Sequence, residues 1–72
     1  MRRRTERSAA EAQNNLQRAY GRPLTDAQRD MVDKIQNFLS QSREAGQGAD
    51  WGRALILADK ARVLSVELVN SL

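Results

Sequence analysis

Asp26, Asp30 and Asp33 are the residues of this 72-residue chain whose types and spacing come nearest to a site of chemistry. Steps of four and three along a helix place carboxylates on neighbouring turns, where they could gather around a cation. Their surroundings argue otherwise. Asp26 falls in a first helical turn, where the helix dipole favours negative charge. Asp30 and Asp33 stand beside Arg29 and Lys34, which makes a solvated, charge-balanced face. Ser40, Ser42 and Ser65 have no base to activate them, since the chain contains no histidine. Gly46-Gln47-Gly48 lacks the preceding strand and the lysine of a phosphate-binding loop. There is no cysteine either, which excludes a disulfide and a thiolate metal site. The sequence therefore predicts a non-enzymatic chain without cofactor or metal, whose function must come from its surfaces.

Charge gives the first such surface. Residues 1–22 hold six basic side chains, Arg2, Arg3, Arg4, Arg7, Arg18 and Arg22, against Glu6 and Glu11, and so carry +4. Residues 23–72 hold six basic and seven acidic residues, a balance of −1. The overall +3 therefore belongs to the N-terminal end. Residues 1–7 show no apolar periodicity and read as a flexible basic arm. Arg2, Arg3, Arg4 and Arg7 would suit an acidic protein, nucleic acid or an anionic membrane surface, or would simply be a solvated tail. Elsewhere Arg29, Lys34, Arg43, Arg53 and Lys60 are interleaved with acids. The third helix is too apolar to lie in a nucleic-acid groove. Phosphate binding by the arginine arm is thus the alternative function rather than the leading one.

Thr5-Glu6-Arg7-Ser8 interrupts the N-terminal stretch where a secretory signal needs an apolar run. The longest apolar run, Ala54 to Ala58, is far short of the roughly 20 residues of a spanning helix. A complete chain of this kind is expected in the cytoplasm. A piece of a longer protein, an envelope protein included, leaves the compartment open.

Three predicted helices must position these residues in one small all-α domain, residues 8–72. The first, about 8–20, carries Ala9, Ala12, Leu16 and Ala19 at helical spacing, a thin stripe that Asn14 and Asn15 weaken. Gly21 and Pro23 stop it. The second, about 26–45, opens on Thr25, with Gln28 completing a capping box and Leu24 placed to staple the entry. Ala27, Met31, Ile35, Phe38, Leu39 and Ser42 form its buried face, with Val32 at the edge. Gly46-Gln47-Gly48 makes the turn to the third, about 51–71, capped by Asp50. There Trp51, Ala54, Leu55, Leu57, Ala58, Ala61, Leu64, Val66, Leu68, Val69 and Leu72 span about half the circumference at 100° per residue. So wide an arc suits a helix lodged between two others. Arg62 and Ser65 interrupt the arc, and Arg62 either snorkels to water or stands at an interface. Ile56 and Val63 lie together on the far side, beside Gly52 and Lys60, as isolated exposed residues or as a docking patch.

Asp50-Trp51, Ala54 and Ala61 resemble the second half of a tetratricopeptide repeat. In that family an aromatic after a Gly-Asp turn is followed by small residues three and ten positions on. The resemblance covers roughly residues 35–66 and departs from the family at three places. Gly48 stands one position early, Ala58 replaces an aromatic, and Val66 stands where a proline closes the unit. Only one such unit is present, whereas an array needs about three. The segment from Arg22 through Ala61 is also similar to helical-hairpin tails of bacterial proteins of unknown function. Both resemblances imply protein binding. The expectation is a three-helix arrangement with a repeat-like antiparallel hairpin of the second and third helices. It would be a non-catalytic adaptor or accessory subunit that docks on a larger assembly or self-associates. Its partner-binding residues would be Ile56, Val63, Arg62 and Lys60.

Overall fold

Backbone propensity and two good caps set the elements. The computed structural model describes all 72 residues as three helices without strands: α1 (Arg2–Ala19), α2 (Asp26–Gln47) and α3 (Trp51–Asn70). At Thr25 the capping box forms as the sequence predicts. The Gln28 amide donates to Thr25 Oγ1 at 3.1 Å, and the Thr25 amide to Gln28 Oε1 at 2.9 Å. Asp50 caps α3 by accepting from the Arg53 amide at 3.3 Å. Gly21, with φ of 83°, turns the chain after α1, in a region open to glycine without steric cost.

Cross-helix hydrogen bonds fix the directions. Ser8 and Asn15 of α1 meet Asp59 and Ser65 of α3, so these helices run parallel. Ser42 and Gln28 of α2 meet Ala54 and Ser71, so α2 and α3 run antiparallel. The helix α3 packs along both others, whereas α1 and α2 barely approach each other. The molecule is an elongated body of 37 × 17 × 16 Å with α3 in the middle.

Two adjacent rows of α3 explain the wide apolar arc. Ala54, Leu57, Ala61, Leu64 and Leu68 recur in steps of three and four, and the Ala54 carbonyl accepts from Ser42 Oγ of α2 at 2.7 Å. Leu55, Ala58, Arg62, Ser65 and Val69 form the second row, which meets α1 through Arg62 and Ser65. The core joins Ala12, Leu16 and Ala19 to Val32, Ile35 and Leu39, and to Ala61 and Leu68. Alanines at 0% exposure on both sides let the backbones approach closely.

Several boundaries differ from the sequence expectation. The helix α1 begins at Arg2 rather than at about residue 8, so residues 2–7 are helical and continuous with the rest of α1. Their periodicity is polar: Thr5, Ser8, Ala12, Asn15 and Ala19 form a row of small and polar residues that an apolar count passes over. Thr5 and Ser8 are buried. The helix α2 continues through Gln47, so Gly46 is helical and not part of the turn. A Cβ at Gly46 would stand 3.0 Å from the Trp51 ring, so glycine there makes room for the indole. The left-handed residue that ends α2 is Ala49, with φ of 59°. The Asp50 amide reaches back to the Ala45 carbonyl at 2.8 Å around it. Ala27 is exposed, because the buried face of α2 starts only where Gln28 reaches the end of α3. Val66 is also exposed, being just past the edge of the buried arc.

Candidate functional site

Three of the five exposed large hydrophobic residues lie on the outward side of α3. Ile56, Val63 and Val66 are 58%, 48% and 38% exposed. Gly52, Ile56, Asp59, Val63, Val66 and Asn70 form a third row in steps of four and three, which Asp59 joins to α1 by accepting from Ser8. Beside the row, Phe38 of α2 and Leu64 widen the surface into a shallow hollow of about 600 Å³ with Ile56, Asp59, Lys60 and Val63. Lys60 leans back so that its Nζ lies 5.7 Å from the Phe38 ring centroid, leaving its charge at the rim.

Of the residues the sequence singles out for docking, Ile56, Val63 and Lys60 come together. Arg62 does not join them. It turns toward α1, with Nε 3.6 Å from Glu11 Oε2 and 3.9 Å from Asp59 Oδ1. Its neighbour on the same face, Ser65, is fully buried, accepts from Asn15 Nδ2 at 3.0 Å and donates to the Arg62 carbonyl at 2.7 Å. Ser8 Oγ donates to Asp59 Oδ1 at 2.6 Å one turn away. Arg62 and Ser65, which look like interruptions of an apolar arc, are thus members of a polar seam that fixes α1 in register. Asn15 belongs to it too. The sequence signal for this seam is the helical spacing of polar residues on both helices: Ser8, Glu11 and Asn15 in steps of three and four on α1, and Asp59, Arg62 and Ser65 in steps of three on α3.

The four N-terminal arginines divide. Arg2 folds onto the body: its Nε meets Glu6 Oε1 at 3.1 Å and its guanidinium lies 5.6 Å from the Trp51 ring centroid. Arg3, Arg4 and Arg7 are exposed on α1 and form no ion pair. With Arg18 they give α1 a basic outer surface held on a helix.

A second concavity lies where α1 and α2 diverge. It measures about 480 Å³ and is lined by Ala9, Ala10, Gln13, Leu39, Arg43 and Trp51 among others. Of the aspartates and serines considered for chemistry, Asp30, Asp33 and Ser40 are exposed and the others take structural positions. Asp26 is in the first turn of α2, and Ser42 and Ser65 are bonded between helices. No group of three histidine, cysteine or acidic side chains is close enough to hold a metal ion. No helix is long and apolar enough to cross a membrane. Comparison with protein-family models, with curated proteins and with solved structures finds no match to this chain.

Proposed function

We propose that this chain is a non-catalytic protein-docking module, an adaptor or accessory subunit that works through the outward face of α3. One observation carries the reading. Two faces of α3 are already occupied by α1 and α2, yet a third row of aliphatic residues stays in water at Ile56, Val63 and Val66. A three-helix unit needs only two apolar faces on its central helix, so the third is surplus to the fold. The repeat-like spacing of Trp51, Ala54 and Ala61 supports the same reading, since such hairpins serve protein binding.

The test is a double substitution, Ile56→Glu with Val63→Glu. Both sites are exposed, so the cost to folding is under about 0.5 kcal/mol each. Association with protein should be lost while the circular dichroism spectrum stays unchanged. A folded double variant that associates as the parent does would overturn the reading.

The basic outer surface of α1 favours a second reading, binding to nucleic-acid phosphates. Arg3, Arg4 and Arg7 are unpaired and held on one helix. Replacing all three with Ala would then weaken binding to duplex DNA. It would also flatten the salt dependence, by about one unit of slope for each phosphate deprived of its arginine. The glutamate pair on α3 would leave that binding unchanged.

A further inference from the structure

Resting on the docking reading, we infer that the partner of the α3 face is an acidic amphipathic helix whose carboxylates meet the arginines of α1. The position of α1 beside the outward row is the starting point. Ser8 donates to Asp59, a member of that row, and Glu11 reaches Arg62. The side of α1 that carries Glu11 therefore borders the row. Arg4, Arg7, Glu11 and Arg18 follow one another on that side in steps of three, four and seven. The contacts set Ser8 beside Asp59, Glu11 beside Arg62 and Asn15 beside Ser65. In that register the stretch from Arg4 to Arg18 runs alongside the stretch from Ile56 to Asn70. Each is about 21 Å long at 1.5 Å per residue.

The charge left over on this surface is positive. Its acids, Asp59 and Glu11, are already engaged by Ser8 and Arg62. Arg4, Arg7 and Arg18 are exposed and form no ion pair. On the other border, toward Phe38 of α2, Arg53 and Lys60 outnumber Glu67. An aliphatic row between two basic borders selects an occupant that is apolar along one stripe and acidic beside it. A helix meets both demands, because anchors in steps of three, four and seven match Ile56, Val63 and Val66. A nucleic acid has phosphates for the arginines but nothing to cover three aliphatic side chains. A lipid bilayer would take the row into hydrocarbon together with the Asp59 carboxylate that stands within it. The hollow that Phe38 and Leu64 form with Ile56 and Val63 also suits a rod better than a flat surface.

Fluorescence anisotropy on the full chain tests this with labelled synthetic helices of about 20 residues. All but one share a leucine stripe at helical spacing. The first carries glutamates beside the stripe, the second lysines, and the third has the composition of the first with the stripe scrambled. The acidic helix should bind with a dissociation constant on the order of 10–100 μM, at least about tenfold tighter than the other two. Joint reversal of Arg4, Arg7 and Arg18 to Glu should weaken the acidic helix about tenfold and favour the lysine helix instead. Circular dichroism checks that each variant is folded. Equal binding of the acidic and lysine helices overturns the inference, as does a preference that the triple reversal leaves unchanged. Binding to vesicles of phosphatidylserine and phosphatidylcholine, with neither striped helix bound, overturns it in favour of a membrane. If both striped helices bind alike and the Ile56→Glu, Val63→Glu chain loses both, the acidic partner is excluded and the docking reading survives. If that glutamate pair binds the acidic helix as the parent does, the α3 face is not the site and both fall.

Discussion

At the scale of single residues, small side chains set how closely the helices approach. Ala54, Ala58 and Ala61 are fully buried, and the Ser42 hydroxyl reaches the Ala54 carbonyl directly. That carbonyl is within reach of a serine only because no larger side chain holds the helices apart. Ala61→Leu should therefore overpack the core and lower stability by about 1–3 kcal/mol. Thermal denaturation followed by circular dichroism measures it, and an unchanged midpoint would show room at Ala61 that the burial denies. Arg62 teaches a related point. An arginine inside an apolar arc reads as an intrusion until its partner is known, and its partner Glu11 is 51 positions away in sequence.

At the scale of elements, α1 is the one whose extent the sequence misjudges. Its buried row is Thr5, Ser8, Ala12, Leu16 and Ala19, with only one large aliphatic residue. Such a helix is held by polar bonds to α3 and by close backbone approach more than by apolar area. Removing residues 1–7 should therefore reach beyond a disordered tail. It takes away buried Thr5 and removes Arg2 from the Trp51 ring. We expect the truncated chain to lose about 1 kcal/mol or more of stability. Its tryptophan emission should shift to longer wavelength as Trp51 meets water. A truncated chain with the parent's melting temperature and emission maximum would restore the picture of an independent arm.

At the scale of the whole molecule, one core joins all three helices, with α3 supplying the common wall. Leu16, Ile35 and Leu68, one from each helix, are fully buried. The domain should unfold as a unit, with circular dichroism and Trp51 fluorescence reporting the same midpoint. Leu16→Ala should cost about 2–4 kcal/mol. For a chain of this size that is a large fraction of roughly 5–10 kcal/mol in total. The loss should appear equally in both signals, although Leu16 and Trp51 sit on different helices. Two separated transitions would mean that α1 unfolds on its own and that the α2–α3 hairpin is the true folding unit.

Local rules were enough to read much of this chain. The capping box at Thr25, the cap at Asp50, the stop at Gly21 and the all-α class follow from interactions within a few residues, which sequence displays directly. The width of the apolar arc on α3 was enough to place it between two neighbours. The pairing of Ile56 with Val63 on its far side was equally legible, because helical periodicity alone decides it. Tertiary structure decided the rest. It made residues 2–7 part of α1, took Arg62 away from the outward face, and added Val66 and Phe38 to the outward surface. It also set the Trp51 ring closely against Gly46. Each of these depends on a partner outside its own helical turn, often far away in the chain, and polar or small residues do not announce such partners. An apolar side chain declares that it will be buried somewhere. A serine, an asparagine or an arginine is buried only where the fold brings the right group opposite it.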